Sequence, residues 1–221
     1  MNREKRTAPS PPERKRQVPG VIRGILKFDV YMTEKFCKLV DRFFPGRYYR
    51  KYYKMLEYTC HGIPWISCWL IFIWLVWSPS LFQMQINFLI GLLLDILLVA
   101  LIKAYTRRAR PPTNQPDMIG SVGPDKFSFP SGHVSRAVYI AFFFLYLHPF
   151  VNFLFHGPLV SWVTSLAASR VLLRRHYILD VLGGVVLGLL EACFISYVWL
   201  GKDTCQWLVT YLSDEKMGDY D

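Results

Sequence analysis

Two runs, IPWISCWLIFIWLVW (63–77) and FLIGLLLDILLVALI (88–102), constrain this chain more than any other feature. Each is apolar around the whole circumference of a helix, so neither suits the surface of a water-soluble domain. A bilayer core of about 30 Å takes about 20 largely apolar residues to cross as a helix. Stretches approaching that length fall near 54–77, 81–102, 133–148, 151–173 and 177–200. The fold class they predict is all-α, an integral membrane helical bundle of about five spanning helices. Gly62, Ile63 and Pro64 lie inside the first of these, where neighbouring helices can satisfy the freed backbone groups. Pro79 and Pro149 mark tight turns between spans, and the third span is the shortest.

Charge divides the chain unevenly. Residues 1–54 hold 15 of the 26 basic residues and 5 of the 16 acidic ones, so the whole net charge of +10 falls there. A basic block can bind nucleic acid, but this one stands directly before hydrophobic spans and reads as their cytoplasmic end. No nucleic-acid partner is expected. Residues 1–20 combine Pro with charge and read as a disordered basic cytosolic tail. From 21 the pattern changes: Ile22, Ile25, Leu26, Val30, Phe36, Leu39, Val40 and Phe43 recur at three- and four-residue intervals with cations between them. That predicts an N-terminal amphipathic interfacial helix within 21–50, lying on a membrane or packed on the protein itself. The spanning domain then covers 51–200, and 201–221 is an acidic C-terminal tail. No signal peptide is expected, because charged residues precede the first apolar run. The five cysteines form no C-x-x-C pair and suggest neither a disulfide framework nor a zinc site.

Three clusters stand at span ends. KAYTRRARP places Lys103 seven residues before Arg110. PSGH gives Pro130, Ser131, Gly132 and His133. SRVLLRRHYILD places Arg170 six residues before His176 and His176 four before Asp180. With the N-terminus inside and an odd number of spans, all three meet on the cytosolic face. Arg presents a planar fork matched to phosphate oxygens, and Lys a compact cation. Ser131 and Gly132 offer a hydroxyl and open backbone N–H groups at a helix start, which favours an anion. His176 and Asp180 share a helix face, so Asp180 can accept from one ring nitrogen and leave the other as a nucleophile. His133 then remains as an acid for the departing oxygen. Taken singly, each residue has a duller reading as interfacial anchor, helix cap or structural histidine; their convergence is what points to chemistry.

The pattern K-x6-RP, PSGH and SR-x5-H-x3-D resembles the three-part signature of the type 2 phosphatidic acid phosphatase superfamily, with every position matched. HGIPW (61–65), LLLDILLVALIK (92–103), NQPDM (114–118) and DKFSFPSGHVSRA (125–137) resemble its polyisoprenoid diphosphate phosphatase branch. The resemblance implies a helical membrane fold and cofactor-free, metal-independent hydrolysis through a phosphohistidine. His176 would be the nucleophile, Asp180 its orienter and His133 the general acid, with Lys103, Arg110, Ser131, Gly132 and Arg170 binding phosphate. It further implies a multi-pass protein of the endoplasmic reticulum membrane and nuclear envelope. Many family members carry six spans, whereas here the charged 21–44 helix stands in place of the first. Two other readings stay open: a broader lipid phosphatase acting on phosphatidate or sphingosine phosphate, and a catalytically silent membrane scaffold. The superfamily also resembles vanadate-dependent haloperoxidases, so vanadate inhibition is expected. Asp95 and Glu191 sit in apolar runs and call for partners, with a structural hydrogen-bonding role favoured. Arg107, Arg108, Arg174 and Arg175 are candidates for a second phosphate or for anionic headgroups, and Arg136 for facing the same pocket.

Overall fold

The computed structural model describes residues 19–112, 126–148 and 153–213, and among these the regular elements are all helices, with one isolated bridge between Ala109 and Phe127. The basic tail, the 114–118 motif, the turn at Pro149 and the last eight residues lie outside or largely outside the described residues. The helices are α1 (Gly20–Phe43), α2 (Gly46–Tyr58), α3 (Gly62–Leu75), α4 (Phe82–Thr106), α5 (Gly132–Phe142), α6 (His156–Leu172), α7 (Ile178–Tyr197) and α8 (Lys202–Ser213).

By length and composition α4 and α7 can each cross a membrane, and α2 with α3 makes a third candidate as one bent span. The expected continuous first span is broken at Thr59–His61, where the two helices meet at 45°. Pro64 then falls in the first turn of α3, where its missing N–H would have found no partner in any case. The remaining two expected spans are shorter. α5 runs on through a single π turn to Leu147, and α6 has 17 residues, about 25 Å of helix at 1.5 Å per residue. The acidic segment after 200 is no simple tail: α8 packs Cys205 and Val209 against Phe82 and Ile86. Asn87 fixes it there by bonding both the N–H and the carbonyl of Leu200.

The core is aromatic. Phe88 is fully buried and meets Trp69 at 4.2 Å and Phe143 at 4.9 Å between ring centroids. Beside it α5 packs on α7 along a seam of small residues, the usual device for close approach of helices within a membrane. A Cβ on Gly184 would stand 2.6 Å from the carbonyl oxygen of Ser131, and one on Gly188 would overlap that of Ser135. This closeness brings the start of α5 against the start of α7.

Candidate active site

Four helix ends meet at one end of the bundle: the last turns of α4 and α6 and the first turns of α5 and α7. Backbone hydrogen bonds join them. Ser131 N–H donates to Asp180 O at 3.0 Å, Ser128 N–H to Arg108 O at 2.8 Å, and both Arg175 and His176 N–H groups reach Arg170 O. Arg174, with φ of 54°, takes the left-handed conformation that turns the chain back after α6. The three sequence clusters are therefore one place.

His176 lies in this turn, between helices, and is 2% exposed. Its Nδ1 is 2.8 Å from the carbonyl oxygen of Ser128 and 3.8 Å from Asp180 Oδ2. The second distance is too long for a hydrogen bond. The expectation that Asp180 accepts directly from His176 is thus corrected: the Ser128 carbonyl is the acceptor. A carbonyl can only accept, so Nδ1 carries the proton and Nε2 keeps its lone pair. Asp180 spends Oδ2 on the Tyr177 N–H at 2.8 Å and Oδ1 on Arg108 at 2.7 Å. Burial pushes the His176 imidazole down to about 4, against the opposing pull of Asp180. At neutral pH the ring is uncharged, as a nucleophile must be.

His133 follows Gly132 in the first turn of α5. Its Nε2 and the Ser131 Oγ are buried and have no hydrogen-bond partner among the described residues, a costly state for polar atoms unless a ligand completes it. Lys103, Gly132, His133, Arg136 and His61 line a cavity of about 330 Å³ whose other walls are the apolar Ile63, Ile96, Val99 and Ala100. Arg170 is 1% exposed in the last turn of α6, within electrostatic reach of His133, while Lys103 and Arg110 act likewise on His176. A phosphate held here would meet cations on several sides and the start of α5 on another. Among the described residues no group of three or more His, Cys, Asp or Glu side chains converges as a metal site would.

The arginines are braced by carboxylates that the motifs do not include. Glu57, buried near the end of α2, has Oε1 3.1 Å from Arg170 Nη1 and 3.0 Å from Arg175 Nη1. Asp29 of α1 pairs with Arg108 at 2.5 Å, and Arg108 stacks over the Tyr177 ring at 4.3 Å. Asp95 pairs with Arg136 at 2.7 Å, and Arg136 also bonds the Cys60 carbonyl. Asp95 therefore has the partner its apolar setting demanded. Glu191 is as deeply buried, yet neither of its oxygens has a hydrogen-bond partner among the described residues. Of the four extra arginines, Arg108 and Arg175 are engaged in these pairs rather than placed as a second phosphate site. Arg107 is exposed, and Arg174 turns toward Asp41 at 3.5 Å.

The family model described as the PAP2 superfamily matches residues 85–203, more than half of the chain and all three clusters. The chain belongs to the PAP2 superfamily. A protein named probable lipid phosphate phosphatase beta, from Arabidopsis thaliana, is 37% identical over 141 residues, which cover 53% of this chain and 66% of the relative. Phosphatidylglycerophosphatase B of Bacillus subtilis (strain 168) is 39% identical over 105 residues, 43% of this chain and 48% of the relative. The chain thus spans between about half and two thirds of the length of these relatives. Among solved structures, a transmembrane PAP2-type phosphatidylglycerolphosphate phosphatase from Bacillus subtilis aligns over 77% of this chain and 96% of its own. That alignment has 21% identity and a TM-score of 0.43. In this PAP2 chain, α1 and α2, with Asp29 and Glu57, precede the matched residues.

Proposed function

We propose that this chain is a membrane phosphohydrolase that removes phosphate from polyisoprenoid diphosphates such as presqualene, farnesyl or geranylgeranyl diphosphate, through a phosphohistidine and without a metal. The observation that carries the reading is His176, neutral, with Nδ1 fixed by the Ser128 carbonyl and within electrostatic reach of Lys103, Arg110 and His133. The Nε2 lone pair forms a bond to phosphorus as the bond to the leaving oxygen breaks. The electron pair goes to that oxygen, which takes a proton from His133. Water then attacks the phosphohistidine and gives its proton back to His133, freeing phosphate and Nε2. Lys103, Arg110, Ser131, Gly132 and Arg170 hold the phosphate oxygens through both steps, and Asp180 acts through its own contacts with Arg108 and Tyr177 to seat the loop.

The isoprenoid tail is supported by the resemblance of the flanking sequence and by apolar surface at the site. A groove of about 420 Å³ runs beside the same loop, lined by Ile102, Phe129, Pro130, Leu179, Leu182 and Gly183 among others. A second reading, a broader lipid phosphatase, is favoured by the names of the relatives. We place the chain in endoplasmic reticulum and nuclear-envelope membranes, with five crossings and a cytosolic N-terminus, on the strength of the basic residues 1–54.

The test is phosphate release by purified protein in EDTA, from farnesyl diphosphate and from phosphatidate side by side. The wild type is expected to turn over the diphosphate faster, and His176→Ala to be inactive. Faster turnover of phosphatidate would establish the second reading. An active His176→Ala protein would remove the proposed nucleophile, and an inactive wild type would leave the scaffold. Protease protection of the two termini in sealed microsomes tests the five crossings, which predict tails on opposite sides.

A further inference from the structure

We infer that Asp29 is a positioning residue for His176, acting from a helix that lies outside the part of the chain matched by the family. The inference rests on the reading of His176 as nucleophile. Three residues of α1 are buried: Asp29, Thr33 and Cys37. They recur every four residues, so they form one stripe, and each bonds the segment that carries the site. Asp29 Oδ1 accepts the Leu179 N–H at 3.0 Å, Thr33 Oγ1 accepts the Ile178 N–H at 3.1 Å, and Cys37 Sγ donates to Val171 O at 3.4 Å.

The first N–H groups of a helix have no acceptor within it. At the start of α7 two of them are met from α1. The remaining oxygen of Asp29 holds Arg108, whose other fork tip holds Asp180, which stands 3.8 Å from His176. Asp29, Arg108, Asp180 and His176 thus form one chain of charged and polar groups. An arginine suits this bridge because its donors form a rigid planar fork that can face one carboxylate at each tip.

An amphipathic helix would dock most readily by burying its apolar face. α1 does not do so: Ile25, Phe28, Met32, Leu39 and Phe43 are all exposed, from 40% to 68%. It is held to the protein by the polar stripe instead, and it would be costly to bury Asp29 there unless its pairing had a role. What the contact fixes is the place of the α7 start and the direction of Arg108. Without the Asp29 charge, Arg108 would close on Asp180 alone and draw it from Tyr177, loosening the turn that aims His176.

The test uses the full chain in lipid nanodiscs, with kcat and KM for farnesyl diphosphate and for phosphatidate, and amide hydrogen exchange over residues 174–182. Asp29→Asn is expected to lower kcat about tenfold or more with KM nearly unchanged, because a distant change that misplaces a reacting group costs rate on at least that scale. Asp29→Glu should recover part of the loss. Arg108→Lys keeps the charge without the fork and should lose as much as Asp29→Asn, and the double variant should be no worse than the poorer single one, since both cut the same chain. Thr33→Val removes a contact to the same helix start and should speed exchange while leaving kcat within about twofold. If Asp29→Asn does not fold, Asp29→Glu and Arg108→Lys carry the comparison. An active wild type and inactive His176→Ala, with Asp29→Asn as fast as wild type, overturns the inference; so do losses that multiply in the double variant, or a Thr33→Val loss as large as that of Asp29→Asn. An inactive wild type fails the functional reading itself and takes the inference with it.

Discussion

Glu57 is the residue whose replacement tells most about how the site is held. It is 4% exposed, and its Oε1 stands 3.0 and 3.1 Å from the guanidinium groups of Arg175 and Arg170. At such a distance each pair has a Coulomb energy of roughly 5 kcal/mol at an effective dielectric of about 20. Much of that is offset by taking three charges out of water, so the attraction is not a net gain. Removing one partner is different, because it takes away a charge that two buried guanidinium groups share, at about 3 to 5 kcal/mol. Glu57→Gln keeps the shape and deletes the charge. For a chain of this size, that loss should lower Tm by roughly 6 to 20 °C. The assay is thermal unfolding in detergent, followed by the fluorescence of the seven tryptophans. A second readout uses vanadate, which mimics phosphate. An anion bound beside Arg170 should substitute for the missing carboxylate and raise the Tm of Glu57→Gln more than that of the wild type. A Tm within about 2 °C of wild type, or equal vanadate shifts for both proteins, would refute the bracing role.

Three other expectations follow from the same geometry. Because His176 is held near 4 in the folded chain and returns to about 6.5 when unfolded, the unfolded state binds more protons between those values, and stability should fall as pH drops from 6.5 toward 4 by on the order of 3 kcal/mol; urea unfolding at several pH values checks this, and His176→Gln should flatten the slope in that window. Gly184→Ala would set a methyl 2.6 Å from the Ser131 carbonyl, so α5 must move off α7; a loss of about 1 to 3 kcal/mol together with weaker vanadate binding is expected, and unchanged vanadate affinity would show that the seam does not place Ser131. Asp95→Ala and Arg136→Ala should each cost about 3 to 5 kcal/mol, but together less than their sum; additive losses in chemical unfolding would mean that the 2.7 Å pair is not the partner either residue needs.

Much of this was legible in the sequence, for identifiable reasons. Lys103, Ser131, Gly132, His133, Arg170, His176 and Asp180 sit at helix ends, where type and spacing nearly determine placement. Apolar runs located α4 and α7 to within a few residues. What escaped was of two kinds. The Ser128 carbonyl leaves no mark, since any residue supplies the same backbone oxygen, and the wrong acceptor was therefore assigned to His176. Asp29 and Glu57 escaped because their partners are far along the chain: Asp29 lies 150 residues from Leu179. Signals existed for both. Asp29, Thr33 and Cys37 interrupt an apolar stripe at four-residue spacing, and Glu57 is the sole acid between Asp41 and Asp95. The break at Thr59–His61 was hidden because proline in a first turn and proline within a helix look alike until the helix start is known.

Carboxylates inside and outside the motifs explain how so many cations can share one small site at the end of a membrane bundle. Arg108 rests on Asp29 and Asp180, Arg136 on Asp95, and Arg170 with Arg175 on Glu57. The carboxylates come from α1, α2, α4 and α7, and the arginines from α5, α6 and the turns after α4 and α6, so the pairs tie many elements together. Under the proposed function, Arg170 fixed in this way would meet an incoming phosphate without first losing freedom, and little reorganisation would be left for the reaction itself. A mobile arginine at the same spot would attract phosphate as strongly at long range yet hold it less well in the geometry His176 requires. On the proposed reading, the three-part motif supplies the groups offered to phosphate. Most of the carboxylates that brace the arginines are written in segments before residue 96, with Asp180 of the motif itself the exception.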